Sequence, residues 1–154
     1  MDSLDTQVLD AARNWAAAGH RFALITVART WGSAPRPPGA WMILRDDGQV
    51  QGSVSGGCIE DDLIRRAAAG EFTGKAPRLL RYGVTADEAH RFGLPCGGTL
   101  ELVLEPAPDA GLLEQLAQRI GTGQLVHRRV ALATGAVSLE GGSAGDSQQW
   151  DGET

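Results

Sequence analysis

Cys58 and Cys96 carry the most reactive side chains of this chain, and glycine frames both of them. Cys58 follows Gly56-Gly57 in the run GSVSGGCIEDDLIRR over residues 52–66, and Cys96 stands between Pro95 and Gly97-Gly98. Glycine lets a backbone come close to a ligand. A helix opening at Cys58 leaves the N–H groups of its first turn without intrahelical partners. Such a place attracts anions and favours the thiolate of a cysteine set in it. Ser55, Gly56, Gly57, Gly97 and Gly98 then offer a hydroxyl and close backbone amides beside the two thiols. The plainer alternative is a tight strand-to-helix turn holding a small buried cysteine.

Three chemistries compete for these thiols. A structural zinc needs four ligands, and His20, His90 and His127 stand at no recognisable spacing. Nucleophilic or redox chemistry would use Cys58 activated by the helix terminus, although no histidine lies near either cysteine in sequence to act as base. A soft-ligand site would let the thiolates meet a thiophilic centre such as molybdenum or copper, with the amides binding phosphate or oxo groups. The cysteines lie 38 positions apart and form no CxxC, so they are no disulfide framework.

The elements that must position these groups follow from periodicity. Leu4, Val8, Ala12 and Trp15 predict an amphipathic helix over residues 3–18 ended by Gly19. Residues 21–30 (RFALITVART) predict a buried strand. The loop Trp31-Gly32-Ser33-Ala34-Pro35-Arg36-Pro37-Pro38-Gly39 excludes regular structure and serves either as a binding wall or as a simple connection. Residues 40–44 and 49–54 flank Asp46-Asp47-Gly48, a strong hairpin signal. A helix follows over residues 58–69, with Ile59, Leu63, Ile64 and Ala67 facing the core. Its Glu60, Asp61 and Asp62 complement the helix dipole more simply than they serve as acid or base. Residues 78–82 predict a short strand, Thr85-Ala86-Asp87-Glu88 a capping box opening a brief helix to Arg91, and residues 99–105 an alternating strand. Residues 109–120 form the last predicted helix, and 124–134 and 136–139 the last strands.

The expected fold is α/β of the α+β kind, a mixed β-sheet with one clear hairpin covered by helices in a single domain. No GxGxxG follows a strand and no P-loop occurs. The 154 residues, 42% hydrophobic and 21% charged, suit one globular domain. A net charge of −5 argues against a general nucleic-acid or anionic-membrane binder. With no signal peptide and no long apolar run, a cytoplasmic location is the default expectation.

The runs TWGSAPRPPG (30–39), GSVSGGCIE (52–60) and CGGTLE (96–101), in this order, resemble the N-terminal domain of the XdhC/CoxI family. The likeness extends from about residue 22 to residue 105. These are accessory proteins of xanthine dehydrogenase and related molybdenum hydroxylases. The resemblance implies a chaperone more than a turnover enzyme: a protein that binds the molybdenum cofactor (molybdopterin) transiently while a terminal sulfur is installed, then aids its insertion. It further implies an apo molybdenum hydroxylase and a cysteine desulfurase as partners. Cys58 and Cys96 become candidate contacts to the molybdenum or its sulfur. Ser55, Gly56, Gly57, Gly97 and Gly98 become candidate close contacts, and Arg36 a candidate for the phosphate or pterin, with Arg29 a lesser one. Family members often continue into a Rossmann-like domain. Here the expectation is one domain over residues 1–140, a flexible polar tail over 141–154, no C-terminal Rossmann domain, and a separate Rossmann-type protein or self-association in its place. The alternatives are a thiol-dependent sulfur-transfer enzyme using Cys58, or a scaffold domain that holds a partner protein.

Overall fold

The computed structural model describes residues 3–31, 36–55, 58–83 and 99–141. Their elements are α1 (Ser3–Ala17), β1 (Phe22–Trp31), β2 (Trp41–Arg45), β3 (Val50–Gly52), α2 (Cys58–Ala68), β4 (Arg78–Tyr82), β5 (Thr99–Glu105), α3 (Ala110–Gly121), β6 (Val126–Val130) and β7 (Val137–Gly141). The first five strands form one sheet in the order β3-β2-β1-β5-β4, and β6 pairs with β7 in a separate two-stranded sheet. This is the expected α+β single domain with its hairpin, and every pairing within it is antiparallel. The expected brief helix at residues 85–91 lies outside the described residues, as does the expected tail over 141–154 apart from Gly141, which closes β7.

Alternation along the strands divides the core in two. Ala23, Ile25 and Val27 of β1, Met42 and Leu44 of β2, and Leu100, Leu102 and Leu104 of β5 face one side. There α2 lays down Ile59 and Leu63, with Ile64 and Ala67 packed against the same cluster as the helical period requires. Phe22, Leu24, Trp41 and Ile43 face the other side and meet Val8, Leu9 and Ala12 of α1 and Leu113 and Leu116 of α3. The sheet is therefore sandwiched between α2 and the α1–α3 pair, which is clipped together by Arg13 donating Nε and Nη2 to the Glu114 carboxylate at 2.7 and 2.8 Å.

Local chemistry explains the turns. Gly48, at φ +94°, donates its N–H to Arg45 C=O at 2.9 Å and closes the hairpin. Asp109 caps α3 by accepting from Leu112 N–H at 3.0 Å. The strand expected over 124–134 ends at Val130, because Gly135 N–H bonds Ala131 C=O at 2.7 Å and turns the chain into β7. The β6–β7 hairpin is tied to the sheet by Arg128, which donates Nη1 and Nη2 to the two oxygens of Glu105 at 2.8 and 2.7 Å.

Gly52 ends β3 at φ +85°, and a Cβ there would stand 2.5 Å from the Trp41 carbonyl oxygen and closer still to Val8 Cγ2. Replacement Gly52→Ala is expected to cost about 2–4 kcal/mol, from left-handed backbone strain together with overpacking against α1. Urea unfolding of the variant beside wild type measures it, and an unchanged midpoint would refute the close approach.

Candidate functional site

Antiparallel threading decides where the connections lie. β1 ends at Trp31, β3 ends at Gly52 and β4 ends at Tyr82, while β2 starts at Trp41 and β5 starts at Thr99. In the pairing register Trp31 faces Thr99, Tyr82 faces Leu100, Thr26 faces Trp41 and Met42 faces Gly52. All five of these strand ends stand at one end of the sheet. The proline loop, the connection from β3 into Cys58, and the connection through residues 84–98 are consequently entered and left there. Thr99 Oγ1 donates to Gly83 C=O at 3.0 Å, so the last of these begins and finishes side by side.

Cys58 is the first residue of α2, as its sequence context predicts. Gly56, Gly57, Cys96, Gly97 and Gly98 lie outside the described residues, as does the side chain of Cys58. Ser55 is buried at 8% exposure, and both its N–H and its hydroxyl donate to Glu60, the N–H at 3.3 Å. Ser53 Oγ donates to the same carboxylate at 2.8 Å. Glu60 thus gathers three donors from the segment that leads into α2. The sequence reading assigned it to the helix dipole. The overlooked signal was two serines, at positions 53 and 55, five to seven residues ahead of a first-turn glutamate, within reach of its side chain folded back.

Arg36 is anchored as well. Its Nη2 donates to Asp5 Oδ1 at 3.0 Å and its Nε to Ser53 C=O at 3.3 Å. Asp5, itself 7% exposed, also accepts the Trp41 backbone N–H at 2.9 Å. One carboxylate on α1 therefore joins the proline loop to the start of β2, and Arg36 carries the link on to the β3–α2 connection. No sequence pattern marks Asp5 for this, since its partners lie 31 and 36 positions away.

A third network steadies the neck of residues 84–98. Tyr82 donates its hydroxyl to Asp62 Oδ2 at 2.7 Å and accepts from Arg66 Nη1 at 3.0 Å, tying β4 to α2. Burial, and then the bond to Asp62, push the Tyr82 hydroxyl up to about 12. Against the opposing effect of burial, the bonds from Tyr82 and Arg65 hold Asp62 below the ordinary carboxylate range.

The described residues contain no group of three or more His, Cys, Asp or Glu side chains able to hold a metal ion. No helix among them is long and apolar enough to cross a membrane. At this end of the sheet the serine hydroxyls and Arg36 are bonded within the wall, to Glu60, Asp5 and Ser53 C=O, and the first turn of α2, opened by Cys58, offers backbone amides and a thiol. That chemistry fits an anionic ligand carrying soft atoms.

Two predictions follow from these networks. Glu60→Ala should lower stability by about 1–3 kcal/mol, since it strands buried donors. It should also strip the Ser55 amide of hydrogen-exchange protection while amides of β1 keep theirs, and equal protection of Ser55 in both proteins would refute the network. Tyr82, the one tyrosine of the chain, should ionise at about 12 in the folded protein and near ~10 once unfolded, read by absorbance at 295 nm. The folded state keeps a proton that the unfolded state releases, so this stabilisation is whole below pH ~10 and declines as pH rises toward 12.

Residues 15–83 match the XdhC and CoxI family. Over 110 residues, 69% of this chain, the sequence is 36% identical to the molybdenum cofactor insertion chaperone PaoD of Escherichia coli K12. It is 29% identical over 83 residues, 54% of the chain, to the uncharacterized protein YqeB of the same organism. The chain spans 34% of the length of PaoD and 15% of that of YqeB. Among solved structures, a xanthine dehydrogenase from Bacillus halodurans superposes with a TM-score of 0.64 at 25% identity, over 94% of this chain and 46% of that one. Over residues 15–83, which hold two of the three motif runs, the chain matches the XdhC and CoxI family, and its fold is shared with a solved relative.

Proposed function

We propose that this protein binds the molybdenum cofactor and assists its sulfuration and its insertion into a xanthine dehydrogenase-type molybdenum hydroxylase. The observation that carries the reading is topological. The three segments holding TWGSAPRPPG, GSVSGGCIE and CGGTLE all open from one end of the sheet, and two carboxylates, the buried Asp5 and the half-buried Glu60, brace two of them. Likeness to a cofactor insertion chaperone supports the same assignment.

In this reading Cys58 and Cys96 meet the metal or its sulfur, and the amides of Gly56, Gly57, Gly97 and Gly98 meet anionic oxygens. Ser55 and Arg36 act differently from simple ligands. They bond to Glu60, Asp5 and Ser53, so they build the wall against which the ligand rests. The cofactor, when bound, supplies a phosphate and a metal carrying sulfur and oxo ligands. The protein holds and shields that group and performs no turnover of its own. An apo hydroxylase receives the cofactor and a cysteine desulfurase provides the sulfur, in the cytoplasm.

Anaerobic binding of freshly released molybdenum cofactor tests the proposal. Wild type should bind, and Cys58→Ala should weaken binding by about tenfold or more, the loss of one ligand-strength contact, without a change in melting temperature. Full retention by Cys58→Ala would refute the assigned contact. Retained binding with lost sulfur transfer would instead favour a sulfur-carrier role for Cys58, which its place as first residue of α2 suits.

A further inference from the structure

The end of the sheet opposite the motif segments holds a cleft of about 220 Å³. It lies where β1 begins, where β2 and β5 end, and where the chain leaves α2 for β4. Ala23, Leu44, Ala67, Phe72 and Pro106 give it an apolar floor, and three of these belong to the core cluster beneath α2. The length of β2, about 14 Å, separates this end from the one where the motif segments open.

Two charges of opposite sign stand at the rim of the cleft. Arg21 precedes β1 and Asp46 follows β2, and Asp46 N–H donates to Arg21 C=O at 3.0 Å. Their backbones are thus fixed on neighbouring strand ends, roughly 5 Å apart. The two side chains do not pair with each other. Arg21 donates Nη2 to Gly74 C=O at 2.9 Å and meets no carboxylate among the described residues. The Asp46 carboxylate accepts from no donor among the described residues and acts on Arg45 only through space. Arg45, the other cation of the lining, is already engaged. Its Nε and Nη2 donate to Asp47 at 2.9 and 2.6 Å, and its guanidinium lies 5.2 Å from the Trp15 ring centroid.

A ligand entering the cleft therefore meets an apolar floor, one cation and one anion. A phosphate would be repelled by Asp46, and a wholly apolar molecule would gain nothing from either rim charge. We propose that the cleft binds a free α-amino acid with an apolar side chain. Its carboxylate accepts from the Arg21 guanidinium, its ammonium donates to Asp46, and its side chain lies against Leu44 and Phe72. Carboxylate and ammonium sit on one carbon, which suits two partners held on adjacent strand ends. The cleft is small for a pterin cofactor, since pockets for drug-sized ligands begin near ~300 Å³. This site stands whether or not the cofactor reading above does.

Calorimetric titration of the full chain with L-leucine, L-methionine and L-phenylalanine tests the site, with L-leucinamide and N-acetyl-L-leucine as probes of each charge. Wild type should bind at least one of the three amino acids with a Kd of about 1 mM or below. The amide, which lacks the carboxylate, and the N-acetyl compound, which lacks the ammonium, should each bind about tenfold more weakly than L-leucine, as loss of a charge-assisted hydrogen bond implies. Arg21→Gln should weaken L-leucine by about tenfold and leave the amide unaffected, because the lost partners are the same pair. Asp46→Asn should do the same for L-leucine and spare the N-acetyl compound. A merely structural role for either residue would weaken all ligands alike. Asp46 is exposed and bonds through its backbone, so Asp46→Asn keeps the test open should Arg21→Gln fail to fold. Binding of none of the three amino acids by wild type overturns the site. Equal affinity for L-leucine, its amide and its N-acetyl form, or no change in either folded variant, overturns the assignment of a zwitterionic ligand.

Discussion

The central strand β1 is hydrogen-bonded on both sides, to β2 and to β5, and it cannot shift without disturbing both neighbours. A slip of one residue would exchange Ile25 for Leu24 on the face beneath α2 and bring polar Thr26 to bear where Val27 now packs. The bulge of β1 at Ala28, one residue unmatched on β5, is tolerated because it falls beyond the residues that pair with β2, in the part of β1 bonded to β5 alone. From that one strand follow the antiparallel threading, the common end of the sheet at which the connections open, and the face on which Arg29 emerges.

The acidic residues of this chain do more than set its net charge. Asp5, Glu60, Asp62, Glu101 and Glu105 each accept from a segment remote from their own element or from the chain entering it. Burying a carboxylate is costly unless charge or donors meet it. Each of these acids therefore selects one arrangement of the segment it binds. Asp5 selects the course of the proline loop, Glu60 that of the approach to α2, and Glu105 the seat of the β6–β7 hairpin. Where a ligand must be held and later released, a wall fixed by such bonds lets the ligand find its contacts already oriented.

Much of the fold was legible in the sequence. The strands at 78–82 and 99–105 coincide with the observed β4 and β5, and the Asp-Gly turn marks the β2–β3 hairpin. These signals are local: alternation, turn residues and capping side chains act within a few positions. The last hairpin was less clear because Gln124 to Thr134 is β-compatible throughout, and the turn at residues 131–136 is decided by its own backbone bonds.

The candidate site divides along the same line. The sequence by itself determined the residue types with reactive or anion-binding chemistry, the start of α2 at Cys58, and the family resemblance carried by three short motifs. Only the tertiary structure decided that Arg36 and Ser55 are engaged by Asp5 and Glu60, and that Arg29 shares a carboxylate with Arg81. The physical reason is that these partnerships depend on strand register and on one inserted residue. Both are settled by packing between segments far apart in the chain, and no spacing within a single segment encodes them.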